Sequence, residues 1–97
     1  MYKIFITKNA REKLFELKKD KNLNKKYNLI KKTIKFLSLN PRHISLQTHE
    51  YISLKGPNRE KVFEAYIEQN TPGAYRLFWF YGPDKSEITI FSIIQHP

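Results

Sequence analysis

The sequence predicts an α+β domain: an opening strand, an α-helical hairpin, then hairpin-connected strands forming a mainly antiparallel sheet packed against the helices. Three observations carry this. Apolar residues recur at helical spacing between Ala10 and Leu39, the pattern turns to strand alternation after Pro41, and turn residues punctuate the second half. A chain of 97 residues builds one hydrophobic core and not two, so residues 1–97 read as a single domain. No repeat, linker or low-complexity segment divides it.

Tyr2 to Ile6 is a short apolar run that reads as a strand. Thr7 or Asn9 can cap the helix that follows, and Asn9 with Glu12 has capping-box spacing. Ala10, Leu14 and Leu17 then fall on one face as far as about Lys19. Asp20 to Asn24 is a polar break, and a second helix from Asn24 to Leu39 carries Tyr27, Ile30, Ile34 and Leu37 on one stripe. Asn40-Pro41 stops it. His43 to His49 reads as a loop of ambiguous structure. Strands follow at Tyr51–Lys55, Val62–Glu68, Ala74–Tyr81 and Ser86–Ile94, separated by Gly56-Pro57-Asn58, Asn70-Thr71-Pro72-Gly73 and Gly82-Pro83-Asp84-Lys85. Ala74–Tyr81 is aromatic on both faces, as a central strand buried on two sides should be.

The chain has no cysteine, which excludes a disulfide framework and a thiolate metal site. Its start lacks the apolar core of a signal peptide and its longest apolar run, Leu77 to Tyr81, is far too short for a membrane span. The expectation is a soluble cytoplasmic protein with no membrane partner. The formal charge of +9 is unevenly placed: residues 1–39 hold 12 Lys/Arg and 3 Asp/Glu, and residues 40–97 hold 6 of each. A positive field of this kind favours a polyanion or an acidic protein. It sits on the helices, at Lys25, Lys26, Lys31, Lys32 and Lys35; a solvated lysine-rich surface is the plainer account, and the charge does not choose between a nucleic acid and an acidic protein.

Dinucleotide, P-loop and zinc patterns are absent. Gly56, Gly73 and Gly82 are isolated turn residues, and His43, His49 and His96 lack metal-ligand spacing, so no cofactor and no metal is expected. What remains is a basic set in the strand region. Arg76 is the least ordinary member, because alternation places it with Phe78 and Phe80, opposite Tyr75, Leu77, Trp79 and Tyr81, in the most apolar strand. A guanidinium there is either paired with Glu64 or Glu68 of the neighbouring strand or used as a phosphate clamp. Metal-free RNA cleavage needs a cation for the pentacoordinate phosphorane, a base for the 2′-hydroxyl and an acid for the 5′-oxygen. Arg76 and Lys55 suit the first role and His96 the proton exchange.

At these residues the chain resembles the RelE/ParE toxin superfamily. The opening strand, the helical hairpin, Leu54-Lys55-Gly56, Tyr75-Arg76-Leu77 and the closing Ile94-Gln95-His96-Pro97 come in that family's order. The resemblance implies a single RelE/ParE-like toxin domain paired with a cognate antitoxin. In its ribonuclease branches (mRNA interferases) such a toxin cuts messenger RNA on the ribosome by 2′-hydroxyl attack; in another branch it poisons gyrase and is no nuclease. Carried over by position, Lys55 contacts RNA phosphate, Arg76 stabilises the transition state and His96 acts as acid or supports the leaving group; Arg59, Lys61 and the α-hairpin lysines are, by their charge, the further residues expected to bind RNA. The chain departs from the pattern at Glu64, Ala65 and Tyr66, where nuclease members often place an arginine, and at Pro97, where a tyrosine can stand. His49 or Glu50 then becomes the candidate base. The expectation is a ribosome-dependent endoribonuclease toxin, with a gyrase-directed or catalytically decayed toxin and a plain RNA-binding module as the alternatives.

Overall fold

The computed structural model describes residues 1–68 and 73–95, in which seven regular elements follow one another in the predicted order. They are β1 (Lys3–Ile6), α1 (Lys8–Lys19), α2 (Asn24–Leu39), β2 (His49–Lys55), β3 (Lys61–Tyr66), β4 (Tyr75–Tyr81) and β5 (Glu87–Gln95). The strands form one sheet in the order β1-β5-β4-β3-β2. Pairing is antiparallel from β2 to β5, while β1 runs parallel to β5, so the sheet is mixed. No described helix is long and apolar enough to cross a membrane.

The helix boundaries follow from local chemistry. Thr7 is extended, and its Oγ1 accepts from the Ala10 N–H at 3.4 Å, which satisfies one orphan donor of the first turn. The capping box expected from Asn9 and Glu12 does not form. Asn9 already lies within α1, and its amide donates to the Phe91 carbonyl at 3.4 Å. Asp20 breaks the helix in extended conformation and accepts from the Asn22 N–H at 2.9 Å, starting a short 3-10 turn that leads into α2. Asn40 is again extended and Pro41 cannot continue the helix.

Both helices bury their stripes on one face of the sheet. Ala10 and Leu17 of α1 and Ile30 and Leu37 of α2 meet Phe63, Ala65, Tyr75, Leu77, Trp79, Ile88 and Ile90. Removing any large member of this cluster costs about 2–5 kcal/mol. The opposite face has no helix, yet Val62, Phe78 and Phe80 are buried there too. Aromatic residues supply the cover: Tyr51 packs on Phe78 with centroids 5.0 Å apart, and Phe91 packs on Phe80 at 5.9 Å. A bulge makes this possible. Phe78 pairs with Ser92 and Trp79 with Ile90, leaving Phe91 unpaired between them. Its freed carbonyl accepts from Thr7 Oγ1 at 3.3 Å and from Asn9, which ties the start of α1 to the sheet.

Two boundaries differ from expectation in ways that bear on function. The segment His43–His49 is not simply a loop: Ile44–Leu46 is a 3-10 turn, and β2 starts at His49 instead of Tyr51. Gln47 closes the turn in the left-handed region with φ of 46°, and Thr48 Oγ1 donates to the Pro41 carbonyl at 2.7 Å, aiming His49 into register with Glu64. The strand expected over Val62–Glu68 ends at Tyr66, and Glu68 leaves the sheet to meet Lys26. Of the turn at Asn70-Thr71-Pro72-Gly73, the first three residues lie outside the described residues.

Candidate functional site

Alternation along β3 turns Glu64 and Tyr66 to the face away from the helices, while Phe63 and Ala65 enter the core. Glu64 is flanked there by its register partner His49 on β2 and by Arg76 on β4, one step along from Phe78. Its side chain is 4% exposed and its carboxylate faces two partners: Oε1 lies 2.8 Å from His49 Nε2, and Oε2 accepts from Arg76 Nη1 at 3.0 Å. Tyr66 completes the group, with the Arg76 guanidinium 4.5 Å above its ring and the His49 ring edge-on at 5.5 Å. Three adjacent strands thus bring His49, Glu64, Tyr66 and Arg76 together on the open face.

The burial is graded. The carboxylate is sealed, Arg76 is 24% exposed and His49 is 47% exposed. A buried carboxylate without partners is costly, and here the Arg76 guanidinium and the His49 imidazole, both at hydrogen-bond distance, offset the cost. Seen from solvent, the site offers a guanidinium stacked on an aromatic ring and an imidazole, with the negative charge beneath them. His49 Nδ1 faces the Gln47 carbonyl at 3.1 Å, so each ring nitrogen lies opposite an acceptor. The doubly protonated ring satisfies both contacts, and each neutral tautomer satisfies one.

Of the two partners offered to Arg76 by the sequence, Glu64 takes it; Glu68 is instead held by both carboxylate oxygens on Lys26 Nζ, at 2.6 and 2.8 Å. The two candidate bases separate. Adjacent residues of a strand point to opposite faces, so His49 joins the cluster and Glu50, opposite the core residue Phe63, does not. His43 has a structural place, stacked on Phe36 at 4.8 Å with Nδ1 accepting from the Ser45 N–H. His96 lies outside the described residues.

Lys55 is not brought to Arg76. It ends β2 beside Gly56, Pro57, Phe80 and Phe91, which with Thr7 line a pocket of about 150 Å³. Arg76 and Phe80 are four residues apart on β4, on the order of 13 Å of strand. One phosphate does not reach both. Lys55 Nζ lies 3.7 Å from Glu50, with Lys55 half exposed and Glu50 a third exposed, a pairing worth little in water. Lys61 sits opposite Lys55 in register, and Arg59 occupies the turn at φ 66°, so the β2–β3 hairpin forms a second basic locus.

Lys25, Lys31, Lys32 and Lys35 are exposed on the side of α2 away from Ile30, Thr33 and Leu37. Lys31 and Lys32 lie over Tyr27 and Phe36 at 5.5 and 5.7 Å. Lys32 also lines a cleft of about 170 Å³ that runs between α2 and the 3-10 turn to Tyr66. Lys26, paired with Glu68, is the exception in the row. Among the described residues no three His, Asp or Glu side chains converge as a metal ligand set.

Sequence reasoning missed Glu64 as the centre of the site. The available signal was parity, which sets Glu64 and Tyr66 on the same face as Arg76 across one strand pair. Compared with known proteins, the chain matches no family model, no curated protein and no solved structure.

Proposed function

We propose that this protein is a RelE/ParE-like toxin of a toxin–antitoxin pair, acting in the cytoplasm as a metal-free endoribonuclease on messenger RNA held by the ribosome. The observation that carries the reading is the placement of Arg76 and His49 on one buried carboxylate at an open sheet face. Arg76 stabilises the charge that develops on the phosphorane, since a planar fork already fixed by Glu64 and Tyr66 needs no reorganisation as the charge grows. The exposed lysines of α2 and the cations of the β2–β3 hairpin bind ribosomal RNA backbone, and an acidic antitoxin covers part of this charge before release.

Induced expression of wild type and R76A in a bacterial host, with messenger ends mapped by primer extension, tests the reading. Cleavage within translated codons is expected for wild type and absent for R76A. Growth arrest with intact messenger would overturn it. One observation favours a second reading: Glu64 stands where nuclease members often place an arginine, and its charge offsets that of Arg76. A gyrase-directed or catalytically decayed toxin would keep this pair as structure alone. Inhibition of gyrase supercoiling by the purified protein, without messenger cleavage, would establish the gyrase-directed form; no growth effect would mark a decayed toxin.

A further inference from the structure

The pocket beside Lys55 opens on the same sheet face as Arg76, too far along β4 for one phosphate to reach both. Its floor is two aromatic rings, Phe80 of β4 and Phe91 of the β5 bulge, with centroids 5.9 Å apart and planes 39° from parallel. Thr7, Gly56 and Pro57 form the walls and Lys55 the charged rim. The polar groups of the walls are already engaged. Thr7 Oγ1 donates to the Phe91 carbonyl and accepts from the Ala10 N–H, while Gly56 donates to the Glu60 carbonyl and accepts from the Arg59 N–H. A flat ring entering here is held by stacking and shape, not by hydrogen bonds to its edge. The volume, about 150 Å³, takes one six-membered ring and not a fused pair.

The same hairpin favours an anion. Lys55 and Lys61 are register partners, and like charges directly opposite repel each other. Arg59 adds a third cation at the turn between them. The two nearby carboxylates do not cancel this charge: Glu50 reaches Lys55 only at 3.7 Å, and Glu60 turns into the hairpin to accept from the Asn58 N–H at 2.8 Å. An apolar pocket shaped for a ring, beside a pair of cations, matches a molecule in which a flat ring and a phosphate are joined, a nucleotide. We propose that the pocket is a subsite for a single pyrimidine base of the RNA strand, its phosphate lying between Lys55 and Lys61, on a nucleotide other than the one whose phosphate meets Arg76. This rests on the proposed role of this face as the RNA surface and adds a sequence preference to it.

NMR of the labelled wild-type protein with tri-uridylate or tri-adenylate reads the pocket without any cleavage. Cross-relaxation between the uracil ring protons and the rings of Phe80 and Phe91 is expected, with tri-uridylate bound about tenfold more tightly than tri-adenylate. K55Q should weaken both oligonucleotides by a similar factor and lower the log–log salt slope by about 0.7, the share of one phosphate. Phe91→Leu, which keeps the pocket apolar but removes a ring, should abolish the preference while leaving the salt slope as it is. On ribosomes, the cuts made by wild type should carry a pyrimidine at one fixed position beside the cut, and those made by F91L should not.

Wild-type protein that binds tri-adenylate as well as tri-uridylate, with no contact to Phe80 or Phe91, overturns the subsite even if F91L does not fold. Cuts without a pyrimidine at any fixed position also overturn it and leave the nuclease reading standing. Pocket shifts produced by a phenylalanyl-glutamate peptide and not by tri-uridylate assign the pocket to a protein partner and overturn the proposal as well. Uracil seated on Phe80 and Phe91 while messenger stays intact supports the subsite and overturns the nuclease reading instead.

Discussion

At the scale of the residue, Arg76 decides between chemistry and structure. Its guanidinium makes a hydrogen bond to Glu64 and a face contact with Tyr66, and the two demand different properties of the side chain. A lysine keeps the charge beside the carboxylate but loses the planar fork and the stacking. R76K is therefore expected to lie within about 1 kcal/mol of the wild type in stability, whereas R76A, which strips the sealed carboxylate of one of two partners, loses about 1–3 kcal/mol. At this size of domain, 1 kcal/mol shifts the melting temperature by about 4–8 °C, so the variants separate in a thermal scan. If cleavage needs the fork, R76K stays folded and loses at least tenfold in rate, about 1.4 kcal/mol of barrier. Full activity in R76K would reduce Arg76 to a point charge. That Arg76 needs a partner was legible in the sequence, because a buried charge is expensive, but parity offers Glu64 and Glu68 alike and only the register selects Glu64. The place of His49 was not legible, since it depends on where β2 begins. That is set by the Thr48–Pro41 hydrogen bond and the left-handed Gln47, and neither leaves a periodic signal.

At the scale of the element, the start of α1 shows how a local signal is overruled by a distant one. Thr7 and Asn9 are both good capping residues, and the spacing to Glu12 favours Asn9. The bulge at Phe91 resolves the choice: its carbonyl accepts from both side chains and places Thr7 at the cap and Asn9 inside the first turn. Thr7→Ala should thus lose the cap and the tether together, about 1–2 kcal/mol, while Asn9→Ala, removing one long exposed bond, loses a few tenths. Urea denaturation of the two variants measures the difference, and equal losses would mean that the tether, and not the cap, carries the stability. The helices themselves were readable from their period. The parallel pairing of β1 with β5 was not, because register between strands some 84 residues apart leaves no trace in either one alone.

At the scale of the whole molecule, the sheet separates two sets of cations. The lysines of α2 stand on the helical side, and the His49–Glu64–Arg76 cluster stands on the other face, with Lys32 alone lining the cleft that reaches Tyr66 between them. On the proposed reading, a short RNA strand lying on the cluster would stay on the sheet face opposite Lys25, Lys31 and Lys35, whereas a ribosome surrounding the protein would meet both sides. The two sets should then govern different steps. The triple charge reversal K25E/K31E/K35E is expected to weaken ribosome association and to flatten its salt dependence by roughly 0.7–0.9 in the log–log slope for each phosphate no longer neutralised. The cleavage rate on saturated ribosomes should stay near that of the wild type. R76A should do the reverse, binding normally and failing to cut. Titrating ribosomes at several salt concentrations, with rate and affinity measured separately, resolves the pair of effects. A triple variant that binds as the wild type does would make the excess charge of the first 39 residues a solvated surface, and would leave RNA recognition to the hairpin cations Lys55, Arg59 and Lys61.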